Sequence, residues 1–308
     1  MDSLRFDGRV ALITGAGRGL GRSYALLLAA RGASVVVNDL GGSMAGEGEG
    51  CEAAESVVAE IIAAGGQAIA NTDSVATEKG CRSMVEQTLS AYGKIDILIH
   101  NAGNVRYGGL DTLSDEDFRA VTDVHFLGGF RIVRQAFPHM RDARYGRVVL
   151  TSSISGLYGC ADTVNYGMSK AGLIGLNNVV AIEGEEHGIR SNVILPGAVT
   201  RMADGLDISQ YPPMEPERVA PVVGWLAHES CDVSGEHFVS MAGRVARAMV
   251  CETPGLYRPD WTIESVAEAS SAFRSTETLW ALPVLPSGFA DHMTRSFEMA
   301  VAGAEDGD

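Results

Sequence analysis

Between Arg9 and about Val239 the chain alternates short apolar runs, rich in β-branched residues, with longer amphipathic segments, and few folds accept that alternation. The runs are Val10–Thr14, Ser34–Asp39, Gln67–Ala70, Ile95–His100, Arg147–Thr151, Arg190–Leu195 and His237–Val239. Most are continuously apolar, as a strand must be when both faces of its sheet are covered. The segments between them, Leu20–Ala30, Glu52–Ala64, Lys79–Ala91, Glu116–Met140 and Asn165–Glu186, have helical spacing. Such alternation predicts an α/β fold: a doubly wound parallel sheet of about seven strands joined by right-handed crossovers. Gly41–Gly50 (GGSMAGEGEG) reads as a flexible loop after the second strand. After Met241 the strand pattern stops. Residues 242–308 hold Pro254, Pro259, Pro283 and Pro286 and two helical segments near Ile263–Phe273 and Ala290–Ala300. The expected organisation is a catalytic domain over 1–241 and a C-terminal extension over 242–308 packed on it, its AGAEDGD end disordered.

The first apolar run leads directly into Thr14-Gly15-Ala16-Gly17-Arg18-Gly19-Leu20-Gly21, which opens the first helix. Glycines in such a turn let the backbone approach a pyrophosphate, and a helix N-terminus offers free N–H groups and the positive end of its dipole. A glycine cluster alone also fits a plain tight turn; its place at the start of a strand–helix–strand unit favours the dinucleotide-binding (Rossmann) arrangement. Asp39 closes the second run, 18 residues beyond Gly21. A carboxylate there can accept both adenosine ribose hydroxyls and repels a 2′-phosphate, which favours NAD over NADP. Arg18 points the other way, because a cation in the turn could meet a 2′-phosphate. Asp39 carries more weight, being nearer the ribose. Asp73 could reach the adenine amino group, and Asn101-Ala102-Gly103 would let the fourth strand pass close to the cofactor.

Tyr166 and Lys170 are four residues apart and share a helix face, and Ser153 lies 13 residues before Tyr166 at the end of the fifth run. A phenol is a weak base near neutrality, with a reference pKa of about 10. An adjacent ammonium and an oxidised nicotinamide would favour its phenolate. Lys170 could hold the ribose while supplying that charge, and Ser153 could donate a hydrogen bond to the substrate oxygen.

Composition narrows the partners. Against 24 Lys and Arg stand 39 Asp and Glu, a net charge of −15, which argues against nucleic acid or an anionic membrane. No stretch reaches the roughly 20 apolar residues that span a bilayer, and Met1–Phe6 contains no apolar signal core. Five scattered cysteines without CxxC spacing predict reduced thiols, a cytoplasmic protein and no metal.

Thr14–Gly21, Asn101–Gly103, Ser153, Tyr166, Lys170 and Pro196-Gly197 together resemble the short-chain dehydrogenase/reductase family over roughly residues 5–245. The resemblance implies an NAD-dependent oxidoreductase with Ser153, Tyr166 and Lys170 catalytic. It places Gly15, Gly17, Arg18, Gly19, Leu20, Gly21, Asp39, Asp73, Asn101, Ala102 and Gly103 on the nucleotide, and Pro196, Gly197, Val199 and Thr200 near the nicotinamide. It also implies a homo-oligomer, dimer or tetramer, packed through the two long helices. Val37–Gly42, Tyr145-Gly146-Arg147, Ala181–Gly184 and Trp225–Cys231 are similar to the 3-hydroxyacyl-CoA dehydrogenase module of peroxisomal multifunctional enzymes, also described as a 17-beta-hydroxysteroid dehydrogenase. A small-molecule substrate of acyl-CoA or steroid type is implied. Many family members place an Asn in a proton relay where this chain has His125, which that module also carries. His125 fits a relay or a satisfied core histidine. Met202, Met214 and the rest of the loop between Thr200 and Glu217 are expected to form a lid. A carbonyl reductase of other small substrates, or a non-catalytic NAD-binding sensor, are the competing functions.

Overall fold

The computed structural model describes residues 3–200 and 211–305. In chain order come β1 (Val10–Thr14), α1 (Gly19–Ala30), β2 (Ser34–Asn38), α2 (Glu52–Ala63), β3 (Gln67–Asn71), α3 (Glu78–Tyr92) and β4 (Ile97–His100). There follow α4 (Asp115–Asp142), β5 (Gly146–Thr151), a short α5 (Ser155–Tyr158), α6 (Val164–Gly184), β6 (Ile189–Gly197), α7 (Ala220–Ala227), β7 (His237–Met241) and β8 (Arg244–Ala248). The sheet order is β3-β2-β1-β4-β5-β6-β7-β8, and the first seven strands pair in parallel.

This order has a functional consequence. The chain leaves β1 toward β2 on one side, and β4 lies on the other. The segments after β1 and β4 therefore part at their C-terminal ends and open a crevice. Register keeps the strand tips level: Thr14 pairs with both Asn38 and His100. Burial fixes the register, since β1, β4 and β5 are buried at every residue. Ile97, Leu98 and Ile99 are fully enclosed, and each such side chain contributes roughly 1.5–3 kcal/mol on burial. Local signals set the helix ends. Ser114 accepts the Asp117 N–H at the start of α4, Thr77 accepts the Gly80 N–H at the start of α3, and Gly93 ends α3 in the left-handed region.

The eighth strand is a departure from the sequence reading. Ala242 and Gly243, both at positive φ (49° and 83°), form a two-residue turn that reverses the chain from β7 into β8. Arg244–Ala248 is mostly exposed, so no apolar run marks it. The chain divides into two compact units, 1–247 and 248–308. In the second, Glu252 pairs with Trp280 in an antiparallel bridge, and Thr253 Oγ1 donates to the Phe273 carbonyl at 2.6 Å. Its α8 (Ile263–Phe273) opens on a reciprocal Thr262–Ser265 capping box, and its α9 (Gly288–Glu305) runs five residues past the predicted end at Ala300. Among the described residues no helix is long and apolar enough to cross a membrane.

Candidate active site

A cavity of about 420 Å³ lies in the crevice above β1 and β4. Gly15, Arg18, Gly19, Leu20, Asp39 and Asp73 border one end of it; His125, Tyr166, Lys170, Pro196, Gly197 and Thr200 border the other, and Asn101–Gly103 lie between. Four predicted residues are not on its wall. Gly17 gives its N–H to Asp39, Gly21 is buried in α1, Val199 gives its N–H to the Met214 carbonyl at 2.7 Å, and Ser153 is hydrogen-bonded to Tyr166. Met214 lines the cavity, while Met202 and most of the expected lid lie outside the described residues.

Backbone shapes the first end. Gly15 has φ +63°, and a Cβ there would stand 2.7 Å from Ala102 Cα, so a side chain would close the gap between the β1 and β4 tips. No side chain caps the N-terminus of α1 and no acid occupies its first turn, which leaves its dipole end free for an anion. Asp39 is held by two backbone donors: Gly17 N–H to Oδ2 at 2.9 Å and Gly41 N–H to Oδ1 at 2.8 Å. Each oxygen keeps a further lone pair for a ribose hydroxyl. Arg18 Nη1 contacts the Gly42 carbonyl at 3.4 Å. Asp73 Oδ2 accepts from Asn71 at 2.7 Å.

Buried titratable groups form the second end. Lys170 Nζ donates to the Thr151 carbonyl at 2.6 Å and lies 5.4 Å from the Tyr166 ring centre. Burial lowers its pKa to about 7. The half-buried Tyr166 phenol is pushed above its ordinary value by burial, and a hydrogen bond with Ser153 pulls it partly back. Within the protein alone, desolvation outweighs that hydrogen bond. His125 packs edge-on against Tyr166, centres 5.3 Å apart, and its Nε2 receives the Asn104 N–H at 3.0 Å. Burial, then the Lys170 charge, holds His125 well below its usual pKa. Its Nδ1 is buried with no hydrogen-bond partner among the described residues.

Some contributing residues were not singled out from sequence. Thr14 Oγ1 accepts the N–H groups of Asn101 and Ala102, both at 3.1 Å, and its own hydroxyl hydrogen is left for His100 Nδ1 at 3.1 Å. His100 then gives Nε2–H to the His125 carbonyl at 2.9 Å, and burial lowers its pKa to about 4. The tips of β1 and β4 are thus tied to the middle of α4. Ser152, rather than Ser153, borders the cavity and donates to the Lys170 carbonyl at 2.6 Å. Ser43, Met44 and Gly46 of the glycine-rich segment also line it. Buried polar residues beside the recognised motifs were the available signal for Thr14, His100 and Ser152.

Comparison with known proteins follows this geometry. The family model described as short chain dehydrogenase matches residues 9–207. Peroxisomal multifunctional enzyme type 2 of Drosophila melanogaster is 49% identical over 242 residues, which cover 78% of this chain and 40% of that protein. The solved full-length structure of that fly enzyme superposes with a TM-score of 0.79 at 38% identity, covering 96% of this chain and 50% of the other. A short chain dehydrogenase from Mycobacterium avium gives a TM-score of 0.77 at 36% identity, covering 87% and 94%. The chain spans no more than about half the length of the fly relative.

Proposed function

The chain belongs to the short chain dehydrogenase family, whose members are oxidoreductases of CH–OH groups, and from that premise we propose that it transfers hydride between NAD and a secondary alcohol or ketone on an extended apolar substrate. The observation that carries the proposal is the single cavity joining Asp39 at one end to Tyr166 and Lys170 at the other.

The residues fit a dinucleotide. The uncapped N-terminus of α1, with Gly15, Arg18 and Gly19 on the cavity wall, suits a pyrophosphate. Asp39 would hold the adenosine ribose and Asp73 the adenine. Lys170 would hold the nicotinamide ribose, and Pro196, Gly197 and Thr200 would border the carboxamide, with Val199 held just outside by the Met214 carbonyl. Bound oxidised nicotinamide supplies a hydride acceptor and a positive charge. Tyr166 takes the proton of the substrate hydroxyl at its phenolic oxygen, and in the reverse direction returns it. Ser153 hydrogen-bonds both that phenol and the substrate oxygen, so charge on either is shared. The Lys170 ammonium, held by the Thr151 carbonyl, orients the ribose, and its charge favours the Tyr166 phenolate that accepts this proton. His125, neutral and edge-on to the Tyr166 ring, serves the relay beside it.

Substrate class follows from the likeness to the 3-hydroxyacyl-CoA and hydroxysteroid dehydrogenase module. It is supported by large apolar side chains left exposed in the segments that follow β4 and β5: Leu110 is 84% and Tyr158 82% exposed. A panel of 3-hydroxyacyl-CoAs, hydroxysteroids and short alcohols with NAD tests it. The best extended substrate should exceed the short alcohols in kcat/KM by at least about tenfold, about 1.4 kcal/mol, which two buried methylenes supply. Short alcohols matching every extended substrate would leave the general dehydrogenase reading alone. We also propose a homo-oligomer, dimer or tetramer, packed through α4 and α6, which leave Phe130, Val179 and Ile182 exposed. The free cysteines suit a reducing compartment such as the cytoplasm.

A further inference from the structure

We propose that Arg106 is a positioning residue that latches the glycine-rich segment 41–50 over the nucleotide end of the cavity and, through Asn165, fixes the backbone of Tyr166. The proposal rests on reading the cavity as a nucleotide site.

The segment 41–50 forms its own compact turn, with Ser43 N–H bonded to the Glu47 carbonyl at 2.7 Å and Gly50 N–H to the Leu40 carbonyl at 2.9 Å. Ser43, Met44 and Gly46 of that turn line the cavity. The segment after β4 holds it in place. Val105 N–H reaches the Met44 carbonyl at 3.0 Å, and Arg106 Nε reaches the Ala45 carbonyl at 3.2 Å. Arg106 also approaches Glu47 at 3.6 Å. The fit is close, since a Cβ on Gly46, itself at φ +83°, would stand 2.7 Å from Asn104 Nδ2.

The other side of Arg106 faces the catalytic helix. Its Nη1 binds Asp117 Oδ1 in the first turn of α4 at 2.7 Å. Asn165 is fully buried, and its Nδ2 donates to the Arg106 carbonyl at 3.0 Å and the Asp117 carbonyl at 3.3 Å. Asn165 Oδ1 in turn receives the Tyr166 N–H at 2.7 Å. Arg106 therefore connects three elements that meet the cavity: the glycine-rich segment, α4 and the start of α6. A guanidinium fork can hold a carbonyl and a carboxylate at once in fixed directions, which a flexible ammonium does not do.

Two variants separate the arms. Arg106→Gln removes the cation paired with Asp117 and the hold on Ala45, while the backbone carbonyl that Asn165 binds remains. It should weaken NADH binding and lower kcat, each by about tenfold, the scale of losing one charge-assisted bond. Hydrogen exchange should rise across residues 42–48 and stay unchanged in β4 and β5. Arg106→Lys keeps a cation for Asp117 and loses the Nε donor to Ala45. It should restore kcat to within about threefold of the unaltered protein while NADH binding stays weak. Unchanged exchange at 42–48 in both variants, or a Lys variant with equal losses in binding and kcat, would overturn the proposal. Should Arg106→Gln fail to fold, the split in Arg106→Lys decides alone. Failure of the nucleotide reading shows separately, as an unaltered protein that binds no NADH; exchange at 42–48 still tests the latch.

Discussion

The two ends of the cavity are built from different materials. The end proposed for the nucleotide is lined by glycines and other small residues, Arg18, Leu20 and two carboxylates, Asp39, already pinned by two N–H donors, and Asp73. At the chemical end stand buried titratable side chains: Lys170 lowered to about 7, Tyr166 raised, and His125 lowered, each chiefly by burial. On the proposed function, one end would recognise by shape and fixed dipoles, and the other would react through groups that burial has moved toward their uncharged forms. Damage to the first should therefore appear in affinity and damage to the second in turnover.

Tyr166→Phe should show the separation most strongly. Removing the proton acceptor should cost about a thousandfold in kcat, while calorimetric NADH affinity stays within a few fold. A variant that turns over near the normal rate would take Tyr166 out of the mechanism. Gly15→Ala is the converse. A left-handed φ and the approach to Ala102 should lower NADH affinity up to about a hundredfold, since strain of this kind costs roughly 1–3 kcal/mol, with kcat at saturating nucleotide little changed. Equal losses in both quantities would blur the distinction. The pH profile sharpens it further. Tyr166 titrates above the ordinary phenol range when free of ligand, so the base form grows as pH rises. kcat/KM for alcohol oxidation should then climb toward alkaline pH by up to about tenfold per unit. A profile flat from neutral to alkaline pH would mean that another group accepts the proton.

What the amino-acid sequence revealed follows the same division. Val10–Thr14 is five apolar or threonine residues in a row, and its strand has those bounds because every position is buried. Tyr166, Lys170 and the Gly15–Gly21 turn were legible because their spacing is local. β8 was not, since an exposed edge strand leaves no apolar run and its only mark is the Ala242-Gly243 turn. The direction of the Tyr166 shift was also hidden, because desolvation depends on the whole surrounding wall. Arg106 holds Ala45, 61 residues away, and that partnership exists only once β2 and β4 lie on either side of β1.

The central claim is that Asp39 and the Gly15–Gly21 turn hold a nicotinamide dinucleotide by its adenosine half. Calorimetric titration of NADH and NADPH into the unaltered protein and into Asp39→Ala tests it directly. Saturable NADH binding at least about tenfold tighter than NADPH is predicted, with the preference narrowed by the substitution as the ribose contacts and the repulsion of a 2′-phosphate are lost. Tighter binding of NADPH to the unaltered protein would assign the pocket to Arg18 instead, and saturable binding of neither nucleotide would contradict the account.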